Sequence, residues 1–427
     1  MWHKNRKKAL VVIHRFWPYL GGAEKHFFIW AKTLTEMGYD IEVFTTNVWD
    51  NDFFHYRDKR YIREKIDRLD DNFLIRRFRV FHPINKNNLL NFLSKFPIKV
   101  FKFVFGSPFI FVPGYFFYML HLSFLPKKYD VILAGVFPHY YLIYPSLLYA
   151  KRKRIPFICV PLLHFGEPNS DDGYDLFFNE KSREIIRVSD FILTNTIMEK
   201  KKLIEEGYEE SKIKVAGVGI DISFEIKGNK DRFRGKYGIN SPIVLQISTQ
   251  THEKGSHHTL EAMKLVWKKN IKVKLVLIGQ ILCDFENYLL AQDSNVFENT
   301  LILDYVDEEE KNDALSACDI FVMPSRADSF GLSYLEAWFY KKPVIAAYCS
   351  GVMEVVNDGL NGFLVPFGDY HMLSEYILKL LGDGNLRNRM GANGYNKVLE
   401  NYTWDRRISS FKEVIYSLQK SKIKSES

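Results

Sequence analysis

Cysteine is scarce in this chain. Its four cysteines, Cys159, Cys283, Cys318 and Cys349, lie far apart among 427 residues and form no C-x-x-C pair. A disulfide framework and a zinc knuckle are excluded on that ground, and the four are read as reduced, buried thiols. The apolar run near the start, Ala9 to Ile13, offers only five residues after the basic Lys4, Arg6, Lys7 and Lys8. That is too short for a secretory leader, so the cytoplasm is the expected compartment. Repeats of solenoid length are missing. With 47% hydrophobic and 15% aromatic residues against 26% charged, disorder along the whole chain is excluded as well. Lys and Arg outnumber Asp and Glu by 59 to 51, a formal +8, which favours anionic partners without choosing among them.

Acid is absent from one long stretch. Between Asn72 and Tyr129 there is no Asp or Glu, while nine cations (Arg76, Arg77, Arg79, Lys86, Lys95, Lys99, Lys102, Lys127, Lys128) interleave with sixteen aromatic residues. Cations attract lipid headgroups and ring bodies enter the acyl boundary, so peripheral membrane contact through about 72–129 is expected, on the cytoplasmic face. An inserted subdomain with a greasy internal face explains the same composition. The uncharged run Phe103 to Pro126 has the length of a membrane span. Gly106, Pro108, Pro113 and Gly114 interrupt it, however, and a span would place strands of one sheet in two compartments. Nucleic acid is not expected as a partner, because no aromatic RNA-binding signature sits on a strand pair.

What is present elsewhere is a regular alternation. Ala9 to Ile13, a loop ending in Gly21-Gly22, a helix with Phe27, Trp30, Leu34 and Met37 at helical spacing, and then Ile41 to Phe44 make one β-turn-α-β unit, with Gly38 placed for a helix end. Short apolar strands then recur at Val131–Ala134, Pro156–Leu163, Phe191–Asn195, Lys214–Val218, Ile243–Ile247, Val273–Gly279, Thr300–Tyr305, Ile320–Met323 and Pro343–Ala347. Strands alternating with helices predict a doubly wound α/β fold. The rhythm lapses into polar residues between Val218 and Ser241, which predicts two halves and a cleft across the carboxyl ends of their strands.

Three tempting patterns fail on spacing. His252-Glu253 and His257 miss the H-E-x-x-H interval by one residue. Gly217-Val218-Gly219 lacks the third glycine of a dinucleotide fingerprint, and Gly331 to Leu335 lacks the closing glycine of a nucleophile elbow. Two loops remain. In Ser248 to Gly255, Lys254 and a glycine precede a helix start, where free N–H groups and the dipole suit a phosphate; a solvated turn explains them too. In Pro324 to Ala337, Asp328 and Glu336 stand eight positions apart, suited to sugar and ribose hydroxyls, while the N–H groups of Phe330 to Leu332 suit a diphosphate. An N-cap Asp and an exposed helical Glu would read the same way.

The string Pro324 to Ala337, with Lys342-Pro343-Val344-Ile345-Ala346, Gly351, Glu354-Val355-Val356, Asp358-Gly359 and Gly362 to Val365, resembles the donor-binding half of glycosyltransferase family 4. Pro18 to Glu24 resembles that family's Gly-Gly loop, His164 stands where its active-site histidine lies, and Val215 to Asp221 resembles its interdomain crossing. The resemblance implies the GT-B fold, two Rossmann-like domains facing a cleft, and a retaining transfer from a nucleotide diphosphate sugar with neither cofactor nor metal. Carried over by position, His164, Lys254 and Asp328 form the catalytic set. The donor would meet Gly21, Gly22, Thr249, Lys254, Arg326, Asp328, Ser329, Phe330, Gly331, Leu332 and Glu336.

Two departures stand out. Thr249 occupies the place of a phosphate-clamping arginine, so either another residue such as Arg326 or His252 substitutes or the donor is held less tightly than is usual, and Asp328 stands where Glu is commoner. The expected organisation is an acceptor domain over 1–218 with the basic insertion at about 50–128, a linker over 219–241, a donor domain over 242–395, and a helix crossing back over 396–427. A lipid-linked or cell-surface glycan is the expected acceptor. A catalytically weak GT-B scaffold of a membrane complex and a GT-B sugar-nucleotide epimerase are the alternatives.

Overall fold

The structure is a computed structural model that describes residues 6–19, 21–50, 60–80, 118, 121–122, 124–166, 177–222 and 228–426. Its first sheet has eight strands: β1 (Lys7–Val12), β2 (Tyr39–Thr46), β3 (Ile66–Asp70), β4 (Phe73–Phe78), β5 (Val131–Gly135), β6 (Phe157–Val160), β7 (Phe191–Thr194) and β8 (Ile213–Val215). They run in the order β3-β4-β2-β1-β5-β6-β7-β8, and only β3 is antiparallel to its neighbour. The central strands are apolar without alternation because helices cover both of their faces. One face carries α1 (Gly22–Glu36), with Phe27, Trp30, Ala31 and Leu34 buried along one stripe. The other carries α2 (Tyr140–Lys153) and α3 (Glu180–Val188). Helix α4 (Ile197–Glu205) follows β7, with Leu203 buried.

The second sheet begins after α5 (Lys230–Tyr237) and comprises β9 (Ile243–Ile247), β10 (Lys274–Ile278), β11 (Thr300–Leu303), β12 (Ile320–Met323), β13 (Val344–Ala347) and β14 (Gly362–Val365). Its order is β11-β10-β9-β12-β13-β14, every pair parallel. Between the strands lie α6 (Ser256–Trp267), α7 (Cys283–Leu290), α8 (Ser294–Asn299), α9 (Glu308–Ala317), α10 (Leu332–Phe339) and α11 (Ser350–Val355). After β14 come α12 (Tyr370–Gly382), α13 (Gly384–Asn401) and α14 (Trp404–Glu426). Within the linker expected over 219–241, α5 buries Phe233 in the core of the second domain. Helix α14 packs on the first domain instead: Phe411, Val414 and Ile415 join the α1 core, and Phe411 stacks on Trp30 at 5.1 Å between ring centroids. The chain thus passes twice between the domains, and the two passages touch where Ile220 N–H donates to Tyr402 O at 2.8 Å.

The acid-free stretch is in part ordinary fold. Its first residues form β4, where Phe73 and Ile75 enter the core, and the buried Arg77 donates to Trp17 O at 2.6 Å and to Asp67 at 3.3 Å. Arg76, Lys128 and the Tyr129 hydroxyl all bond the buried carboxylate of Glu42, so two of the nine cations serve an internal acid. Tyr118, Leu122 and Tyr129 are core residues. The remainder of the expected membrane-facing segment, 81–117, 119–120 and 123, lies outside the described residues. Among the described residues no helix is long and apolar enough to cross a membrane. Cys159, Cys318 and Cys349 are buried free thiols, whereas Cys283 is exposed, contrary to expectation, because it opens the surface helix α7.

Candidate active site

In the second domain two loops leave the carboxyl ends of neighbouring strands and meet. The β9–α6 loop is held by buried glutamines: the Gln246 amide donates to Lys254 O at 3.1 Å, and the Gln250 amide donates to Ser248 O at 2.8 Å and Ile278 O at 3.0 Å. Gly255 then turns the chain into α6 at φ +74°, where a Cβ would lie 2.3 Å from Pro324 O. Only glycine satisfies both the left-handed angle and the close approach. That turn aims the Lys254 ammonium at Asp328, with Nζ and Oδ2 2.7 Å apart.

Asp328 is 8% exposed. Its second oxygen accepts the N–H groups of Phe330 at 3.2 Å and Gly331 at 3.0 Å. Burial opposes ionisation, but Lys254, His164 and these bonds outweigh it and hold the carboxyl below its usual range. Two of the N–H groups expected at the diphosphate therefore already serve Asp328. Those of Leu332 and Ser333, in the first turn of α10, have no partner within the helix.

One turn along α10, Glu336 meets two ammonium groups: Lys311 of α9 at 2.7 Å and, from the other domain, Lys25 of α1 at 3.5 Å. Both lysines also pair with Glu308, at 2.9 and 2.7 Å. Burial works against the Glu336 charge, yet the two cations keep the carboxyl below its ordinary value. Burial opposes the Lys311 charge too, and the Glu336 and Glu308 carboxylates outweigh it and hold that ammonium protonated.

The first domain supplies the opposite wall. Helix α1 opens on Gly21-Gly22 toward the gap. A Cβ on Gly21 would meet Glu24 at 2.7 Å, whereas one on Gly22 would meet nothing within 4 Å. The buried Glu24 accepts from Arg15 at 3.0 Å, and the Arg15 guanidinium lies 4.0 Å from the centroid of the Tyr19 ring. His164 follows β6, its ring 5.6 Å from that of Phe177. Burial pulls its imidazole down to about 4, against the pull of Asp328 and with the push of Lys254, so it is neutral at pH 7. Arg60 reaches across to Asp304 at 3.1 Å while holding Asp50 at 3.0 Å.

These walls enclose a cavity of about 680 Å³ at the carboxyl ends of both sheets. His164, Gly21, Gly22, Thr249, Lys254, Asp328, Ser329, Phe330, Gly331, Leu332 and Glu336 all line it. Arg326 does not: it turns outward, bonding Glu253 at 3.3 Å and lying 5.9 Å from the Phe367 ring. His252, the other candidate to replace the cation missing at Thr249, meets His257, His258 and Phe367 edge-on, also away from the cavity. Among the described residues no cluster of three or more His, Cys, Asp or Glu could hold a metal ion.

Residues 20–224 match the sequence profile of Glycosyltransferase Family 4, and residues 229–397 match that of Glycosyl transferases group 1. The two fit end to end on the two sheets. The chain belongs to the family-4-like group of GT-B proteins. Over 221 residues it is 28% identical to the capsular polysaccharide biosynthesis glycosyltransferase CapM of Staphylococcus aureus, covering 49% of this chain and 57% of that one. It spans about half the length of the curated relatives it matches. Two solved structures share the fold across nearly the whole chain. Sucrose-phosphate synthase of Thermosynechococcus elongatus superposes with a TM-score of 0.73 at 17% identity, over 97% of this chain and 100% of that one. HepE of Anabaena, in complex with UDP and glucose, superposes at 0.70 and 18% identity, over 96% and 100%.

Within this glycosyltransferase frame, the residues that sequence reasoning missed are the cations of the cavity wall, of which Lys25 and Arg60 cross the gap. Lys25, Lys311, Arg15 and Arg60 bring four more cations to the cavity lining. In the sequence, Lys25 and Lys311 are ordinary helix-surface lysines. The only local signal is Glu308 three positions before Lys311, the spacing of a solvated helical ion pair.

Proposed function

We propose that this chain transfers a hexosyl group, with retention, from a nucleoside diphosphate sugar to a glycan or lipid-linked acceptor, without a metal ion. The observation that carries the reading is the joining of Lys254, Asp328 and Glu336 in one cavity at the strand ends, faced by His164. In it Glu336, kept ionised by Lys311 and Lys25, binds the ribose diol. Lys254 exchanges its partner Asp328 for the donor's diphosphate and stabilises the charge that develops there as the glycosidic bond breaks. Asp328, released on that oxygen, accepts from hydroxyls of the sugar. The leaving phosphate oxygen takes the acceptor proton on the same face, so no protein base is assigned, and the neutral His164 lies beside the sugar in transit. The UDP and glucose bound by HepE support a donor of this class.

Lys254→Ala and Glu336→Ala each lower the transfer rate at least about tenfold in this reading, measured with a donor chosen by thermal stabilisation against a panel of nucleotide sugars. Unchanged rates in both variants reject it. The basic, aromatic composition of 72–129 supports a lipid-borne acceptor and peripheral docking on an anionic surface. Flotation with anionic liposomes tests that part, and a protein left in the soluble fraction at low salt refutes it.

A further inference from the structure

Helix α11 of the second domain touches both halves of the site at once. On its own side Gly351 is pressed against the donor loop, since a Cβ there would lie 2.4 Å from Ser329 O and 2.5 Å from Asp328 O. On the far side Ser350 reaches the loop that follows β6: its N–H donates to Gly166 O at 3.3 Å and its hydroxyl to Phe165 O at 3.2 Å. One turn later, Glu354 Oε2 accepts the N–H of Met198 at 3.0 Å, in the first turn of α4. That N–H has no partner inside its own helix. Thr196 caps the next one, Glu199 N–H, at 3.0 Å, so the first turn of α4 is satisfied partly from its own domain and partly from the other.

The same turn of α4 holds the His164 loop. Glu199, 2% exposed, accepts Asn195 N–H at 2.8 Å with one oxygen and Leu163 N–H at 3.0 Å with the other. Leu162, two residues before His164, has φ +49°, a left-handed conformation that a leucine keeps only where its surroundings impose it. Glu199 supplies that constraint at the adjoining N–H. At the opposite end of α11, Lys397 bonds Val355 O at 2.6 Å and fixes the helix to α13.

We propose that Glu354 is a positioning residue for the transfer step: by capping α4 from across the gap, and through the grip of Glu199 on Leu163, it ties the placement of His164 to the docked position of the donor domain. The proposal rests on the reading of His164 as the group beside the transferred sugar. Donor recognition by Lys254 and Glu336 does not pass through Glu354, so Glu354→Ala separates binding from turnover.

The experiment compares wild type, Glu354→Ala, Glu354→Gln, Glu199→Gln and Glu354→Ala/Glu199→Gln for nucleotide-sugar affinity by calorimetry, for kcat and KM, and for amide hydrogen exchange. Glu354→Ala is expected to bind the donor within about twofold of wild type while losing about tenfold in kcat. Glu354→Gln, which keeps an acceptor oxygen, restores most of the rate. The double variant loses less than the product of the single effects, as residues in one network do. Exchange in the peptides over 161–166 and 197–205 rises in Glu354→Ala without any change over 248–255. A kcat within about twofold of wild type, or a rate loss matched by an equal loss of donor affinity, overturns the proposal. Should Glu354→Ala fail to fold, Glu354→Leu, which keeps most of the side-chain bulk but has no acceptor oxygen, carries the same comparison. If the wild type binds no nucleotide sugar, it is the functional reading that fails. The exchange pattern then still decides the cross-domain cap, because unchanged protection over 161–166 refutes it without reference to turnover.

Discussion

His164 makes the chain sensitive to acid in a calculable way. In the folded protein its imidazole, half-buried against Phe177, titrates at about 4, against about 6.5 in an unfolded chain. Between those values the unfolded state binds a proton that the folded state refuses. Stability is therefore fully present above pH 6.5, declines as the pH falls below it, and stops declining near pH 4. The whole interval is worth about 3 kcal/mol, of which about 2 kcal/mol is lost between pH 7 and pH 5. The buried His14 and His26 and the half-buried His139 are also pulled down by desolvation, so the wild type loses more than this share. The measurement is thus a difference: urea unfolding of wild type and His164→Gln at pH 7 and at pH 5. The wild-type loss between the two pH values is expected to exceed that of the variant by about 2 kcal/mol. Equal losses in the two proteins would show that the imidazole ionises freely in the folded state. The picture of a neutral ring beside the sugar would then be wrong.

Thr249→Arg restores a cation to a position that lines the cavity near Lys254. Calorimetry is expected to find nucleoside diphosphate binding about tenfold tighter, the worth of one charge-assisted hydrogen bond. Unchanged affinity would mean that residue 249 does not face the phosphates. Gly255→Ala places a Cβ 2.3 Å from Pro324 O at φ +74°, so a loss of at least about 2 kcal/mol is expected. A melting temperature within about 1 °C of wild type counts against the tight turn that aims Lys254.

The central strands were legible because parallel strands covered on both faces must be continuously apolar, and Ile243–Ile247 and Ile320–Met323 occupy the same residues in sequence and structure. The β3–β4 hairpin was hidden. Ile66–Asp70 is a mostly exposed edge strand of mixed polarity, and the alternation of Phe73 and Ile75 in β4 continues into Arg77, a buried cation that reads as surface until its partners are known. Strand β14 starts on a glycine and spans four residues, so nothing local marks it as a strand. At the site, both donor-domain loops were readable because a glycine at a helix start and acids beside it are short-range features. Arg326 was misplaced for the complementary reason: adjacency in the loop does not fix which way a long side chain turns, and Glu253 draws it outward. Lys25, Lys311 and Glu354 act by crossing space between elements far apart in the chain, which no spacing rule can register.

The stacking of Phe411 on Trp30 joins residues about 380 positions apart. At about 5 to 20 residues per second on the ribosome, Trp30 waits roughly 20 to 80 s for the ring that covers it. Throughout synthesis the amino-terminal half therefore shows an uncapped apolar face while its partner domain is still being made. Chaperone contact during translation should concentrate on that face of α1 and cease only when α14 emerges.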